Sequence, residues 1–140
     1  MAKYNKIISS RAEVEKFLVD MKGILNSPDF DIDRDFIFQK IRADDDPNDD
    51  YNNENTMLAL NYSTEDIVED LKELQIRDYS ETIIDNKTDG LVPLYVFGKE
   101  IQNRDIYIKL RIKSRKTNSE YVFCLSFHFA KFPIKDFPYA

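Results

Sequence analysis

The sequence predicts an α+β fold, in which a single domain packs an antiparallel β-sheet of about five strands against two helices. Two segments start with a helix-capping pattern and continue with apolar residues at helical spacing. The C-terminal half instead alternates apolar and polar residues with the period of two that is typical of a half-buried strand. With 140 residues and 42 % hydrophobic content, residues 1–140 suit one domain with one core, and the composition excludes a disordered chain.

Each predicted helix begins at a capping box. In this motif the serine side chain bonds the backbone N–H three residues later, and the acidic side chain at that position bonds the backbone N–H of the serine. Ser10 and Glu13 start the first helix, which should end before Pro28 because proline cannot donate a backbone hydrogen bond. Ser63 and Asp66 start the second. The apolar stripes of the two helices are Val14, Phe17, Leu18, Met21 and Leu25, and Ile67, Val68, Leu71 and Leu74.

Strands and turns are predicted for most of the remaining apolar segments. Residues 56–60 are compatible with a strand or a short helix, and residues 82–84 with a short strand or an extended segment. The tail after residue 130 holds aromatics and prolines and is expected to pack on the surface as an extended strap. Strands are predicted at 36–41, 91–99, 104–113 and 120–128, with turns at 85–90 and at Gln102-Asn103.

Residues 43–55 are predicted to form an acidic, flexible loop, of hairpin type, between residues 36–41 and 56–60. From Arg42 to Glu54 there are six acidic residues against one basic residue. Such a carboxylate cluster could also bind a divalent cation, although the segment lacks the glycine and the final glutamate of a calcium-binding loop. A third interpretation is a docking or self-masking role opposite the basic part of the chain.

That basic part is residues 99–116, which contain seven lysines and arginines and only two acidic residues. The chain is therefore dipolar, and a cationic patch survives within a protein whose formal charge is −6. One cysteine cannot form an internal disulfide, and no apolar run approaches the ~20 residues that span a bilayer. The first ten residues lack the apolar core of a signal peptide. We therefore expect a cytoplasmic protein with no membrane contact.

Strand parity places a polar face within the basic segment. In residues 104–113 the even positions from Ile106 to Ile112 are apolar, whereas the odd positions are Tyr107, Lys109, Arg111 and Lys113. In the last strand the odd positions 121–129 are all apolar, and the even positions hold Val122, Cys124, Ser126 and His128. If the two strands pair antiparallel with their apolar sides matched, Ser126 and His128 share the face of Tyr107, Lys109 and Arg111.

Each of these residues also has a plainer interpretation. A single histidine at a strand end is often structural, Tyr107 alone could be a packing residue, and exposed cations on a strand are often only solvated. Cys124 is expected in the core because nothing nearby forms a nucleophile triad. Lys99 depends on the turn: a two-residue turn at Gln102-Asn103 places it on the opposite face, and a slightly longer turn places it on this one.

Three strings in the chain resemble the MqsR-like toxins of bacterial type II toxin–antitoxin systems. They are YSTEDIVEDLKELQIRDYSE, VFGKEIQNRDIYIKL and FCLSFHFAKFP, within residues 58–139. The Tyr-Ile-Lys-Leu strand followed by the final Ser-Phe strand carries the resemblance most specifically. These toxins are small ribonucleases related in fold to the RelE group, so the resemblance implies a RelE-like, helix-covered antiparallel sheet.

The resemblance also implies an activity: metal-independent cleavage of mRNA by attack of the ribose 2′-hydroxyl on its own phosphate. By position, Lys109 and Tyr107 match the lysine and tyrosine of the family's Tyr-x-Lys strand. His128 stands where better-known members have a lysine. Tyr79 lies in the segment where the family has an active-site lysine nearby, whereas here Ser80 and Glu81 follow.

The resulting expectation is an endoribonuclease toxin, with an antitoxin protein and mRNA as partners, and without cofactor, metal or direct DNA binding. One alternative is a non-catalytic module that binds RNA or an acidic protein on the same face. The other is a protein-interaction role in which the acidic loop is the contact. The predicted catalytic residues are His128, Lys109 and Tyr107, and the predicted RNA- and phosphate-binding residues are Lys99, Arg111, Arg104, Lys113, Tyr79 and Ser126.

Overall fold

The computed structural model describes residues 4–85 and 92–140, and in this part of the chain it contains six strands, four α-helices and one 3₁₀-helix. The helices are α1 (Arg11–Leu25), α2 (Ile32–Asp35), α3 (Asn53–Leu60) and α4 (Thr64–Lys72), with the 3₁₀-helix at Ile76–Asp78. The strands are β1 (Tyr4–Ile7), β2 (Phe36–Phe38), β3 (Tyr79–Asp85), β4 (Leu94–Ile101), β5 (Arg104–Ser114) and β6 (Glu120–Phe129).

The strands form one mixed sheet in the order β1-β3-β4-β5-β6-β2. All neighbouring pairs are antiparallel except β2, which runs parallel to β6. The predicted α+β class and the single domain are confirmed, but the prediction of about five antiparallel strands against two helices is wrong. Of the strands, only β1 was not predicted, because a segment of four residues is too short to show a clear alternation. β2 lies within the predicted strand at 36–41, but it pairs parallel to β6.

Both capping boxes are present, and the first predicted helix agrees with α1. All five residues of its predicted stripe are buried, and Phe17 stacks on Tyr95 of β4 at 4.2 Å between ring centroids. The second predicted helix is α4, whose residues Ile67, Val68 and Leu71 are buried. None of the helices in the described residues is both long enough and apolar enough to cross a bilayer.

The predicted hairpin around the acidic loop is wrong. Residues 53–60 form α3, so the helical alternative for residues 56–60 is confirmed. Asn52 caps this helix by accepting a hydrogen bond from the backbone N–H of Asn55. Residues 43–52 fold as a series of turns, in which the Asp46 and Asp49 carboxylates accept from the N–H two residues ahead.

The predicted two-residue turn between β4 and β5 is confirmed. Gln102 and Asn103 have positive φ angles of 50° and 66°, as the tight hairpin that matches strand twist requires. The resulting register pairs Lys99 with Ile106. Residues 86–90 of the predicted turn before β4, and residue 91 of the predicted strand, lie outside the described residues.

The sheet buries both of its faces to different extents. One face carries Ile106, Ile108 and Leu110 and packs under the helices as the main core. The other, which we call the outer face, carries a small apolar cluster of Ile83, Leu94 and Val96, with Tyr107 and Leu125 beside it. The C-terminal tail crosses the outer face at Gly98 of β4, where a Cβ atom would lie 2.7 Å from Ile134 Cδ1.

A β-bulge corrects the predicted parity of β6. Lys109 pairs with Ser126, but the next residue, Leu110, pairs with Cys124, so Leu125 is the extra residue. Phe127 and Phe129 face the main core as predicted, whereas before the bulge the core-facing residues are Val122 and Cys124. The prediction that all odd positions from 121 to 129 share one face is therefore wrong for the first half of β6.

Candidate active site

The floor of the candidate site lies on the outer face where β5 and β6 pair. Tyr107 is directly opposite His128, and their ring centroids are 5.5 Å apart. The Nζ atom of Lys109 lies 5.2 Å from the centroid of the Tyr107 ring. Because β5 alternates and the bulge begins only after Lys109, these three side chains share one face, as the sequence predicted.

The hydrogen bonding of His128 fixes its tautomer. Nδ1 lies 3.0 Å from the carbonyl oxygen of Phe129, and a carbonyl can only accept, so Nδ1 carries the proton. Nε2 of the neutral ring is then a lone-pair acceptor, and it makes no hydrogen bond with the described residues. Partial burial lowers the pKa of His128 below its usual 6.5, and the charges of Lys109 and Arg42 act in the same direction. His128 is therefore a neutral base at neutral pH.

Lys109 is half-buried between the two strands that flank it. Burial lowers the pKa of its ammonium group, and the nearby charges of Arg42 and Lys6 lower it further, while Glu81 opposes them. A lysine with a lowered pKa gives up a proton more readily than an exposed one and still provides a cation when protonated.

An open cleft of about 430 Å³ lies beside Tyr107 and His128, and Lys109 is not among the residues that line it. Tyr107 and His128 line it from the sheet, Glu81 and Lys6 line it from β3 and β1, and residues 130–136 form the remaining wall. Lys6 and Glu81 form an ion pair at 3.5 Å. The cleft is therefore bordered by both charges, and its polar floor is open to a substrate.

A second, smaller cleft of about 240 Å³ is also lined by His128. Arg42, Asp45 and Asp49 line it together with His128 and Lys131. Arg42 donates its backbone N–H to the Asp45 carboxylate at 2.9 Å. The acidic loop thus borders the site, and Arg42, which directly precedes the loop, provides positive charge next to Lys109 and His128.

Two polar side chains of α3 hold the part of β6 that carries His128. Asn53 donates to the carbonyls of Gln39 and Leu125 and accepts from the N–H of Phe127, at 2.8, 3.0 and 3.0 Å. Thr56 accepts from the N–H of Phe129 at 3.0 Å. The short β2 pairs only with residues 122–124, so α3 satisfies the edge of β6 beyond it and fixes the backbone around His128.

Two predicted phosphate-binding residues lie away from this site. Lys99 points to the helix-covered side of the sheet, where its ammonium is 3.6 Å from the Glu73 carboxylate. Arg104 sits at the start of β5 with its guanidinium 3.5 Å from the centroid of the Phe129 ring, a residue of the main core. The two-residue turn sets this register and therefore decides the position of Lys99.

Three other predicted binding residues are buried. Tyr79 is fully buried, its hydroxyl is 2.6 Å from Thr82 Oγ1, and the backbone N–H of Ser9 donates to it at 2.9 Å. Ser126 is 1 % exposed and Arg111 is 8 % exposed. Lys113 is on the outer face but farther along β5, where its Nζ lies 4.7 Å from the centroid of the Phe123 ring. These four residues do not line the cleft.

The sequence prediction missed several residues that the fold brings to the site. Asp49 comes from the acidic loop and Arg42 directly precedes it, and Lys131 and Phe132 come from the tail. The only signal for Arg42 was its position as the one base within an acidic run, which does not indicate a site. In the described residues, no group of three or more His, Cys, Asp or Glu side chains is arranged to hold a metal ion.

Comparisons of the chain with protein-family models, with curated proteins and with solved structures find no match.

Proposed function

We propose that this protein is a metal-independent endoribonuclease of the toxin type, with its active site at His128, Lys109 and Tyr107. The observation that carries this proposal is the neutral imidazole of His128, with its Nε2 lone pair open, on the same face as the half-buried cation of Lys109. A base at an open cleft and a cation on the same face of the sheet are the groups that RNA cleavage by the 2′-hydroxyl requires.

The proposed reaction uses these groups in one displacement. Nε2 of His128 takes the proton of the ribose 2′-hydroxyl, and the 2′-oxygen attacks the adjacent phosphorus. The bond from phosphorus to the 5′-oxygen breaks, and that oxygen takes a proton from Lys109. The products are a 2′,3′-cyclic phosphate and a 5′-hydroxyl, and solvent returns Lys109 and His128 to their starting states.

The geometry of the two strands supports this division of roles. His128 and Lys109 are diagonal neighbours across an antiparallel pair, a relation that typically separates residues by about 7–8 Å. A phosphoryl group can contact both side chains across such a gap. Arg42 adds positive charge on the same side, and Tyr107 between the two residues can donate its hydroxyl to a phosphoryl oxygen.

The proposal extends to the setting of the protein. It takes mRNA as the substrate, a small antitoxin protein as the partner that covers the cationic face, and the cytoplasm as the location. It also takes the fold as a RelE-like variant.

A second candidate function is a non-catalytic module that binds RNA or an acidic protein on the same face. The position of Lys109 favours it, since this half-buried lysine is not among the residues that line either cleft and is poorly placed to protonate a leaving group there. This candidate requires salt-sensitive RNA binding without cleavage products.

Induced expression in bacteria tests the first candidate. We expect growth arrest from the wild-type chain and relief of the arrest by His128→Ala and by Lys109→Ala. The matched control is Lys99→Ala, which removes a cation of the opposite face and should leave the arrest intact. Full arrest by both site variants, at equal protein levels, would refute the assignment.

A further inference from the structure

The wall of the cleft opposite the sheet carries an exposed aromatic side chain. Phe132 is 76 % exposed and is the one aromatic among the most exposed large apolar residues of the described chain. It lines the same cleft as Tyr107 and His128. An isolated exposed apolar residue needs no explanation, but an exposed ring that lines a cleft bordered by charged residues offers a flat surface to a ligand.

The chain on both sides of Phe132 is anchored. Ala130 donates its N–H to the carbonyl of Asp105 at 2.8 Å, and Ile134 packs against Gly98 of β4. Farther on, the hydroxyl of Tyr139 donates to the carbonyl of Ser9 at 2.5 Å. The ring therefore stands on a short segment between fixed points, and such preorganisation lowers the entropy cost of binding.

The distance along the chain places this ring close to the reacting groups. Phe132 is four positions after His128, so their Cα atoms are at most about 14 Å apart. Lys131 and Lys135 belong to the same wall, and Lys131 also borders the small cleft beside Arg42. An aromatic ring next to lysines is the combination that binds single-stranded nucleic acid, where bases stack and phosphates meet cations.

From these contacts we propose that Phe132 is the stacking platform for a nucleobase of single-stranded RNA, beside the scissile phosphate. The inference rests on the proposed function for its substrate class. It replaces Tyr79, which the sequence suggested for stacking and which is buried against Ser9 and Thr82. Phe132 is here a substrate-positioning residue and takes no part in proton transfer.

The absence of tryptophan from the chain allows a direct test. We would add a 2′-O-methyl RNA oligonucleotide, which lacks the attacking hydroxyl, to the full-length Phe132→Trp variant and follow tryptophan fluorescence. We expect saturable quenching, because a stacked base quenches indole emission. The matched control is Val19→Trp on α1, which is 70 % exposed in the wild type but far from the cleft, and which should show no change.

Affinity for a fluorescently labelled copy of the same oligonucleotide gives the second readout. Loss of one stacked base should weaken binding by about 5- to 150-fold in Phe132→Ala. Phe132→Leu, which keeps an apolar side chain without a π face, should lose a similar amount, whereas Phe132→Tyr should bind like the wild type. Melting temperatures should match, since the replaced ring is exposed.

The outcomes separate this inference from the proposed function. Equal affinity of Phe132→Ala and the wild type, no binding of the oligonucleotide by the wild type, or binding without quenching in Phe132→Trp would each overturn the stacking role. Phe132-dependent binding without any cleavage of unmodified RNA would retain the stacking role and refute the endoribonuclease.

Discussion

The side chain of Asn53 should contribute strongly to the free energy of unfolding. It is 3 % exposed and makes three hydrogen bonds to backbone groups of β6 and of the segment after β2. Asn53→Ala removes all three and leaves buried backbone groups unsatisfied, each at a cost of about 1–3 kcal/mol. Allowing for relaxation and water entry, we expect a loss of about 2–4 kcal/mol from a total of about 5–15 kcal/mol.

Urea unfolding followed by circular dichroism measures this loss. With a slope of about 1–3 kcal/mol per molar, the midpoint should fall by about 1–2 M. Asn53→Asp should be at least as destabilising, because it turns a donor toward the Gln39 and Leu125 carbonyls into a buried charge. The matched control is Asn55→Ala, which breaks two bonds of a less buried side chain and should cost about 1 kcal/mol. A free energy for Asn53→Ala within about 0.5 kcal/mol of the wild type would refute the reasoning.

Two further predictions concern the site. The cleavage rate should rise with pH through a pKa below the usual 6.5 of histidine, because only neutral His128 accepts a proton, and should fall at alkaline pH as Lys109 loses its proton below the usual 10.5. Initial rates across the pH range of the folded protein check this, and an acid limb centred above 6.5 would contradict the account of His128. Tyr79→Phe should lower stability by about 1–3 kcal/mol, because Ser9 and Thr82 lose a buried partner, and should leave RNA affinity unchanged. Weakened RNA binding by folded Tyr79→Phe would restore Tyr79 to the site.

The parts of the fold that the sequence predicted well are those that local chemistry determines. Capping boxes at Ser10 and Ser63 act within four residues, and the alternation of β5 sets its two faces without help from distant residues. The same alternation placed Tyr107 and Lys109 together. Their proximity to His128 was predicted by matching the apolar sides of β5 and β6, and the register of these two strands confirms it.

The bulge in β6 could not be predicted because its support comes from elsewhere in the chain. Asn53, more than 70 positions before Leu125, satisfies the backbone that the bulge frees. Without that information β6 reads as one regular strand, since Tyr121 and Phe123 are apolar like the core residues. Both rings lie on the outer face, where Lys113 and Arg115 cover them.

Long-range packing also decided which predicted site residues stay at the site. Lys99, Arg104, Arg111 and Lys113 share a basic segment, but strand register and burial send them to different environments. Arg42 reaches the site only because the acidic loop folds against His128. Sequence composition gives the total charge of a segment. The face of the sheet on which each charged side chain lies depends instead on strand register, which composition does not encode.

Incubation of the purified chain with single-stranded RNA in EDTA tests the central claim most directly. We expect fragments with 2′,3′-cyclic phosphate and 5′-hydroxyl ends, no fragments from 2′-O-methyl RNA, and loss of cleavage in His128→Ala and Lys109→Ala but not in Lys99→Ala. Intact RNA with the wild-type chain, or cleavage that both site variants retain, would contradict the assignment of an endoribonuclease site to the outer face of β5 and β6.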